Sequence, residues 1–273
     1  MKNLIVRTAT GLVYVVVIVS AICFHPYSFL ALFAPVVGLA LWEFYGLDKE
    51  LNGWGKMAGI WGGIYLFTAS FLFAGSFVSA YIFFPYILFL LALLIASLYD
   101  TAPNAVRNCA MFLFGQFYCA GLLSTLNFIV FDPTTMHYVP YYALLIFIFV
   151  WLNDTGAYLS GITLGRHPLF ARISPKKSWE GFWGGLTIVV LSSIGIAYYF
   201  PQIVSTFQSV ALAIITVIFA TWGDLVESLL KRNSGVKDSG ILLPGHGGIL
   251  DRFDSVMLAA PAVLLYIELF IRN

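Results

Sequence analysis

Residues 203–255 read IVSTFQSVALAIITVIFATWGDLVESLLKRNSGVKDSGILLPGHGGILDRFDS, and the join at Trp222-Gly223 divides two chemistries. Residues 203–222 hold no Asp, Glu, Lys or Arg, and a helix needs roughly 20 apolar residues to cross a bilayer. Residues 223–255 hold five carboxylates, Asp224, Glu227, Asp238, Asp251 and Asp254, with the cations Lys231, Arg232, Lys237 and Arg252 between them. Charge at a membrane is costly and is kept chiefly where it works. The stretch reads as a membrane helix that opens into a polar site.

Composition extends that reading to the whole chain. Of 273 residues, 60% are hydrophobic, 17% aromatic and only 10% charged, with a mean hydropathy of +0.91. A soluble domain carries roughly 25% charged residues, so lipid is the solvent here. Apolar stretches of membrane-spanning length recur at 8–24, 27–47, 56–78, 80–98, 110–131, 140–158, 179–200, 203–222 and 252–271. The expected fold is an all-α polytopic membrane protein with about nine transmembrane helices. Its expected division is an N-terminal set of about five helices (1–138) and a catalytic transmembrane region (139–273) with polar loops at 153–178 and 223–252. Lys2 and Arg7 precede the first apolar run as in a signal peptide, but no cleavage site follows, and a retained helix is expected. Cys23, Cys109 and Cys119 lie scattered in apolar stretches without metal-ligand spacing and read as packing residues. A net charge of +1 without a basic arm leaves nucleic acid out as a partner.

Basic residues orient the bundle. With the N-terminus inside, Lys2 and Arg7, Lys49 and Lys56, Arg107, the quartet Arg166, Arg172, Lys176 and Lys177, and the quartet Lys231, Arg232, Lys237 and Arg252 share one side. That is thirteen of fourteen Lys and Arg, with only Arg272 opposite. The positive-inside rule then puts the N-terminus and both polar loops in the cytoplasm and the C-terminus on the other side. The expected location is the cell (inner or plasma) membrane, with the site facing the cytoplasm.

The two loops hold complementary groups. Lys176 and Lys177 follow Pro175, where a helix carrying Glu180 on its first turn is expected to start. Paired ammonium groups beside orphan helix N–H groups suit a polyphosphate; an anchor at the cytoplasmic face is the plainer alternative. Asp224 and Glu227 are three apart, as are Asp251 and Asp254, so each pair shares a helical face. Two such faces supply the hard oxygen ligands that Mg²⁺ prefers, although a solvated loop paired with Lys231, Arg232 and Lys237 has the same composition. The glycines of Gly245-His246-Gly247-Gly248 let backbone N–H groups approach an anion.

The segments Ser228–Arg232, Lys237-Asp238 and Leu243-Pro244-Gly245-His246-Gly247-Gly248-Ile249-Leu250-Asp251-Arg252-Phe253-Asp254-Ser255 resemble the signature of the phosphatidate cytidylyltransferases (CDP-diacylglycerol synthases). Ser174-Pro175-Lys176-Lys177-Ser178-Trp179-Glu180-Gly181 is similar to a second motif of that family, and Asn153-Asp154 through Tyr158 fits as well. The resemblance is specific over 151–255; the first 150 residues match only as a hydrophobic bundle.

The resemblance implies that CTP and phosphatidic acid react to give CDP-diacylglycerol and pyrophosphate. On that reaction, Asp224, Asp251 and Asp254 are assigned as catalytic metal ligands, with Glu227 as a further ligand or a group behind them. Lys176 joins the catalytic set. Lys177, Lys231, Arg232, Lys237, Arg252, His246 and Ser174 are assigned to the substrate phosphates, and Asn153 and Asp154 to the lipid-side entrance. Mg²⁺ is the implied cofactor, as one ion, as two, or as one with a monovalent partner. CTP, phosphatidic acid, membrane lipids and a second copy of the chain are the implied partners. A cytidylyltransferase acting on another lipid phosphate shares the same physics. A CDP-alcohol phosphotransferase would need an Asp-Gly and Ala-Arg arrangement that Asp251-Arg252-Phe253-Asp254 does not supply. A cation or solute transporter would show interrupted helices in matching halves, whereas these acids cluster near one face.

Overall fold

The computed structural model describes residues 2–48, 51, 53–100, 104–240 and 247–272. They form an all-α polytopic membrane protein with one short β-hairpin. In chain order the helices are α1 (Lys2–Phe24), α2 (Pro26–Gly46), α3 (Gly53–Ala74), α4 (Phe84–Ala96), α5 (Ala105–Gly115) and α6 (Leu122–Val130). Then come α7 (Tyr141–Leu164), strands β1 (Pro168–Phe170) and β2 (Ser174–Ser178), α8 (Trp179–Tyr199), α9 (Thr206–Asn233) and α10 (Leu250–Phe270). Among the described residues, seven helical spans are long and apolar enough to cross a membrane, α5 and α6 counting as one through the π-helical turn Gln116–Gly121. The apolar stretches Thr10–Phe24 and Ala80–Ala96 are shorter. The second begins as a 3₁₀ turn, Ala80–Phe83, and continues as α4, with Pro85 in the first turn of that helix.

Helix starts follow local chemistry. At α2 the His25 ring accepts from Tyr27 N at 3.2 Å and Ser28 Oγ accepts from His25 N at 3.1 Å, with Pro26 at the first helical position where no N–H is needed. At α9, Ser205 and Gln208 satisfy one another's backbone amides, a capping box. At α8 the cap is Ser178, whose hydroxyl accepts from Gly181 N at 3.1 Å.

Two compact units emerge. The first comprises residues 1–140 and 238–252. Its core stacks Phe29, Phe33, Phe67 and Phe71, all fully buried. A buried polar knot crosses it: Gln116 Nε2 donates to Tyr45 Oη at 2.8 Å and to Gly59 O at 2.7 Å, and Gln116 Oε1 accepts from Tyr86 Oη at 3.2 Å. A buried polar group must be satisfied from within, and the π-helical turn is where Gln116 begins.

The second unit comprises residues 141–237 and 253–273. There α7 and α8 pack through small residues: a Cβ on Gly185 would lie 2.5 Å from Asn153 Oδ1, and one on Gly181 would lie 2.9 Å from Ala157 O. The small-residue pair Gly181 and Gly185 is therefore used inside this bundle. Part of each expected polar loop is helix. α7 carries Asn153 and Asp154 and runs on to Leu164, and α9 continues through Asp224 and Glu227 to Asn233. Polar residues at helical spacing do not end a helix; the glycines and prolines after them do.

Candidate functional site

Asp224 and Glu227 lie one turn apart on α9 and face Asp254 on α10. One carboxylate oxygen from each lies within 4.8 Å of the others. Glu227 is 0% exposed and Asp254 8%. The approach depends on Gly223: a Cβ there would sit 2.5 Å from Asp254 O and 3.2 Å from Ser255 Cα. The missing side chain lets the two backbones meet and brings the acids into one cluster.

Two lysines partly balance the charge. Lys231, one turn beyond Glu227, places Nζ 2.5 Å from Glu227 Oε2, and Lys177 on β2 pairs with Asp224 Oδ2. Ser228 donates to Asp224 Oδ1 at 3.3 Å and Ser255 N to Asp254 Oδ1 at 2.6 Å. Three carboxylates against two ammonium groups leave excess negative charge in a poorly solvated place. Buried charge is stable there only when paired or metal-bound. The oxygen donors, their convergence and their burial fit a hard divalent cation.

A cavity of about 350 Å³ opens beside the cluster. Asn153, Asp154, Ser174, Lys176, Lys177 and Asp224 line it, which joins residues from both polar segments. Asn153 Oδ1 is buried without a hydrogen-bond partner. The lysines sit on strand β2, not at a helix start, because Ser178 caps α8 and the helix begins at Trp179. Glu180, on the first turn of α8, fixes the hairpin: Oε2 accepts from Arg166 N at 3.1 Å and His167 N at 3.2 Å, and Oε1 lies 2.6 Å from His167 Nδ1. The sequence marks Glu180 only as a first-turn acid; its bonds to Arg166 and His167, 14 and 13 positions away, depend on the hairpin turning back.

Other expected site residues stand elsewhere. Arg232 is exposed and donates to Val236 O at 3.2 Å, and Lys237 is exposed. In the first unit Arg252 is exposed, and Asp251 Oδ2 accepts from Ser239 N at 3.2 Å and Gly248 N at 2.8 Å. His246 lies outside the described residues. A separate apolar groove of about 530 Å³ shares Leu169, Phe182 and Thr221 with the polar cavity and continues along Trp179, Trp183 and Trp222.

Comparison with known proteins gives a consistent family. The family model described as the cytidylyltransferase family matches residues 5–270. Over 126 residues the chain is 48% identical to proteins named phosphatidate cytidylyltransferase from Staphylococcus aureus (strain COL) and Staphylococcus haemolyticus (strain JCSC1435), covering 46% of this chain and 47% of each relative. A protein of the same name from Staphylococcus epidermidis (strain ATCC 12228) is 47% identical over 120 residues, covering 44% of this chain and 46% of that protein. The aligned part spans about half the length of these curated relatives.

Proposed function

This chain belongs to the cytidylyltransferase family, and on that premise we propose that it converts CTP and phosphatidic acid to CDP-diacylglycerol and pyrophosphate. The observation that carries the reading is the meeting, in one unit, of a buried acid cluster, a lysine-lined cavity and an apolar groove that shares residues with it. A transporter has no use for that combination. The names of the Staphylococcus relatives favour phosphatidate over another lipid phosphate. We assign the chemistry to residues 139–273 and place the site on the cytoplasmic side of the cell membrane, where thirteen of the fourteen Lys and Arg gather under this topology. A homodimer is part of the proposal through family resemblance alone.

In the proposed step, a phosphatidate oxygen attacks the α-phosphorus of CTP. A new P–O bond forms, the bond to the β-phosphate oxygen breaks, and pyrophosphate leaves with that electron pair. A phosphate monoester has a second pKa near 6, so the nucleophile is ionised at neutral pH and no strong base is needed. What remains is to bring two anions together in line. Asp224, Glu227 and Asp254 would hold Mg²⁺, which supplies charge neutralisation to both phosphates when bound. Asp251, which belongs to the first unit, is proposed in its own right as a further carboxylate of the reaction. Lys176 and Lys177 present ammonium groups to the cavity, and Lys177 exchanges Asp224 for a substrate phosphate. Asn153, Asp154 and Ser174 line the cavity wall and orient the substrates. Arg232, Lys237, His246 and Arg252 are proposed as outer phosphate contacts, while Lys231 holds Glu227 in place. The acyl chains occupy the groove along Trp179, Trp183 and Trp222, since the phosphate they carry must reach the cavity at the shared Leu169, Phe182 and Thr221.

The test uses purified protein in detergent with phosphatidic acid, Mg²⁺ and α-³²P-labelled CTP. Label should enter the lipid phase and stop doing so with EDTA; no transfer with any lipid phosphate tried would defeat the reaction. Two variants separate the substrates. Lys176→Ala is expected to raise KM for CTP by about tenfold with little change for lipid, the scale of one charge-assisted contact. Trp183→Ala should do the reverse, raising KM for phosphatidic acid severalfold as apolar contact is lost. An interchange of these patterns would swap the assignments of cavity and groove.

A further inference from the structure

Glu43 is an acidic residue inside the apolar helix α2 and is 4% exposed. Within the first unit its carboxylate reaches residues 196 to 207 positions further along the chain. Oε1 accepts from Ile249 N at 3.0 Å, and Oε2 accepts from Leu250 N at 2.7 Å and from Ser239 Oγ at 3.1 Å. Every one of these partners is a donor. Two are backbone amides at the start of α10, which have no acceptor inside the helix and where negative charge is favoured. A Cβ on Gly240 or on Gly248 would collide with the same carboxylate, so bare backbone is pressed against it. From its other side the loop is held by Asp251, which accepts from Ser239 N and Gly248 N. Gly247, at φ +80°, leads the chain into Gly248 in a conformation that favours glycine. Ser239 is therefore bonded to both carboxylates at once, and Gly248 is bonded to Asp251 while its backbone presses against Glu43.

A carboxylate inside a membrane span is expensive to keep, and a simple helix cap could be made by a serine or threonine. We propose that Glu43 is a positioning residue for nucleotidyl transfer. It holds Ser239 and the 248–250 backbone at the start of α10 and, through the Ser239 and Gly248 amides that Asp251 accepts, sets the orientation of Asp251. The inference rests on the reaction proposed above. Glutamine at this position would keep the volume but replace one oxygen by an NH₂ group. Whichever way the amide turns, a donor would then face a backbone N–H. Aspartate keeps an acceptor-only head on a shorter stem.

The experiment compares Glu43→Gln and Glu43→Asp with the parent chain in detergent, by steady-state kinetics and amide hydrogen exchange. Glu43→Gln should lower kcat by about tenfold or more, the scale of losing charge-assisted bonds, with KM for CTP and lipid changed less than about threefold. Exchange at 247–252 should quicken by about tenfold or more, while that of α3 and α6 stays as in the parent. Glu43→Asp should recover part of both. Full turnover in Glu43→Gln, or quickened exchange throughout the unit, would reduce Glu43 to a residue that only holds the fold. A parent chain that transfers no label sinks the reaction and the positioning role with it; loop exchange would still tell that failure apart from a misread Glu43.

Discussion

Asp254→Asn is expected to lower cytidylyl transfer by about a thousandfold or more while the protein remains folded in the membrane. The expectation follows from its place in the cluster. Asp254 is 8% exposed and brings one carboxylate oxygen within 4.8 Å of one each from Asp224 and Glu227. If the cluster holds a cation, asparagine keeps the shape and removes one unit of the charge that binds it. A bound metal supplies several kcal/mol of charge stabilisation to phosphoryl chemistry, and each 1.36 kcal/mol is tenfold in rate. Stability should move the other way. Like charges crowded in a poorly solvated site repel one another, so without metal the variant should melt at the same temperature as the parent or higher. Activity therefore falls and metal-free stability does not, a pair of signs that a purely structural acid does not give. Substantial turnover in Asp254→Asn would remove this residue from the metal centre. A lower melting temperature without metal would mean that its carboxylate supports the fold.

The parts of the site that the sequence discloses are those that depend on spacing within one helix. Asp224 and Glu227 are three apart, and a helix puts them on one face whatever surrounds it. Lys231 follows on the same face and reaches Glu227. Membrane-spanning helices are legible for a related reason, since in lipid each satisfies its own backbone. Strand β2 was not legible. Ser174–Ser178 pairs with only three residues of β1, too short a run to show a period, and Pro175 invites a helix start that Ser178 takes instead. Asp251 and Asp254 share a spacing but not a partner set: Asp254 faces the acids of α9, while Asp251 holds Ser239 and Gly248. Nothing in the stretch itself distinguishes them. Glu43 is the clearest omission. An ionisable residue inside an apolar span is a signal, but its partners are about two hundred positions away, and only the folded chain brings them together.

Gly223→Ala tests the geometry of the cluster without touching a charge, and one methyl group is expected to cost about a hundredfold in kcat. In an ordinary helix interior, glycine to alanine stabilises by up to about 1 kcal/mol. Gly195, in α8, has open space around its Cα, and Gly195→Ala is expected to follow that rule with unchanged activity. At Gly223 the same methyl would lie 2.5 Å from Asp254 O and 3.2 Å from Ser255 Cα. The obstacle is backbone, which cannot rotate away as a side chain can. α9 and α10 must move apart there by several tenths of an ångström, or the chain must bend. Either response spreads Asp224 and Glu227 away from Asp254. Misplacement by about 1 Å can cost a hundredfold in rate, and overpacking costs roughly 1–3 kcal/mol in stability. The affinity for Mg²⁺ should weaken along with kcat, because both read the same oxygen–oxygen separations. If Gly223→Ala instead binds Mg²⁺ and turns over like the parent, the backbones at this point are not holding the acids in register. The metal centre would then have to be sought in carboxylates other than the three that meet here.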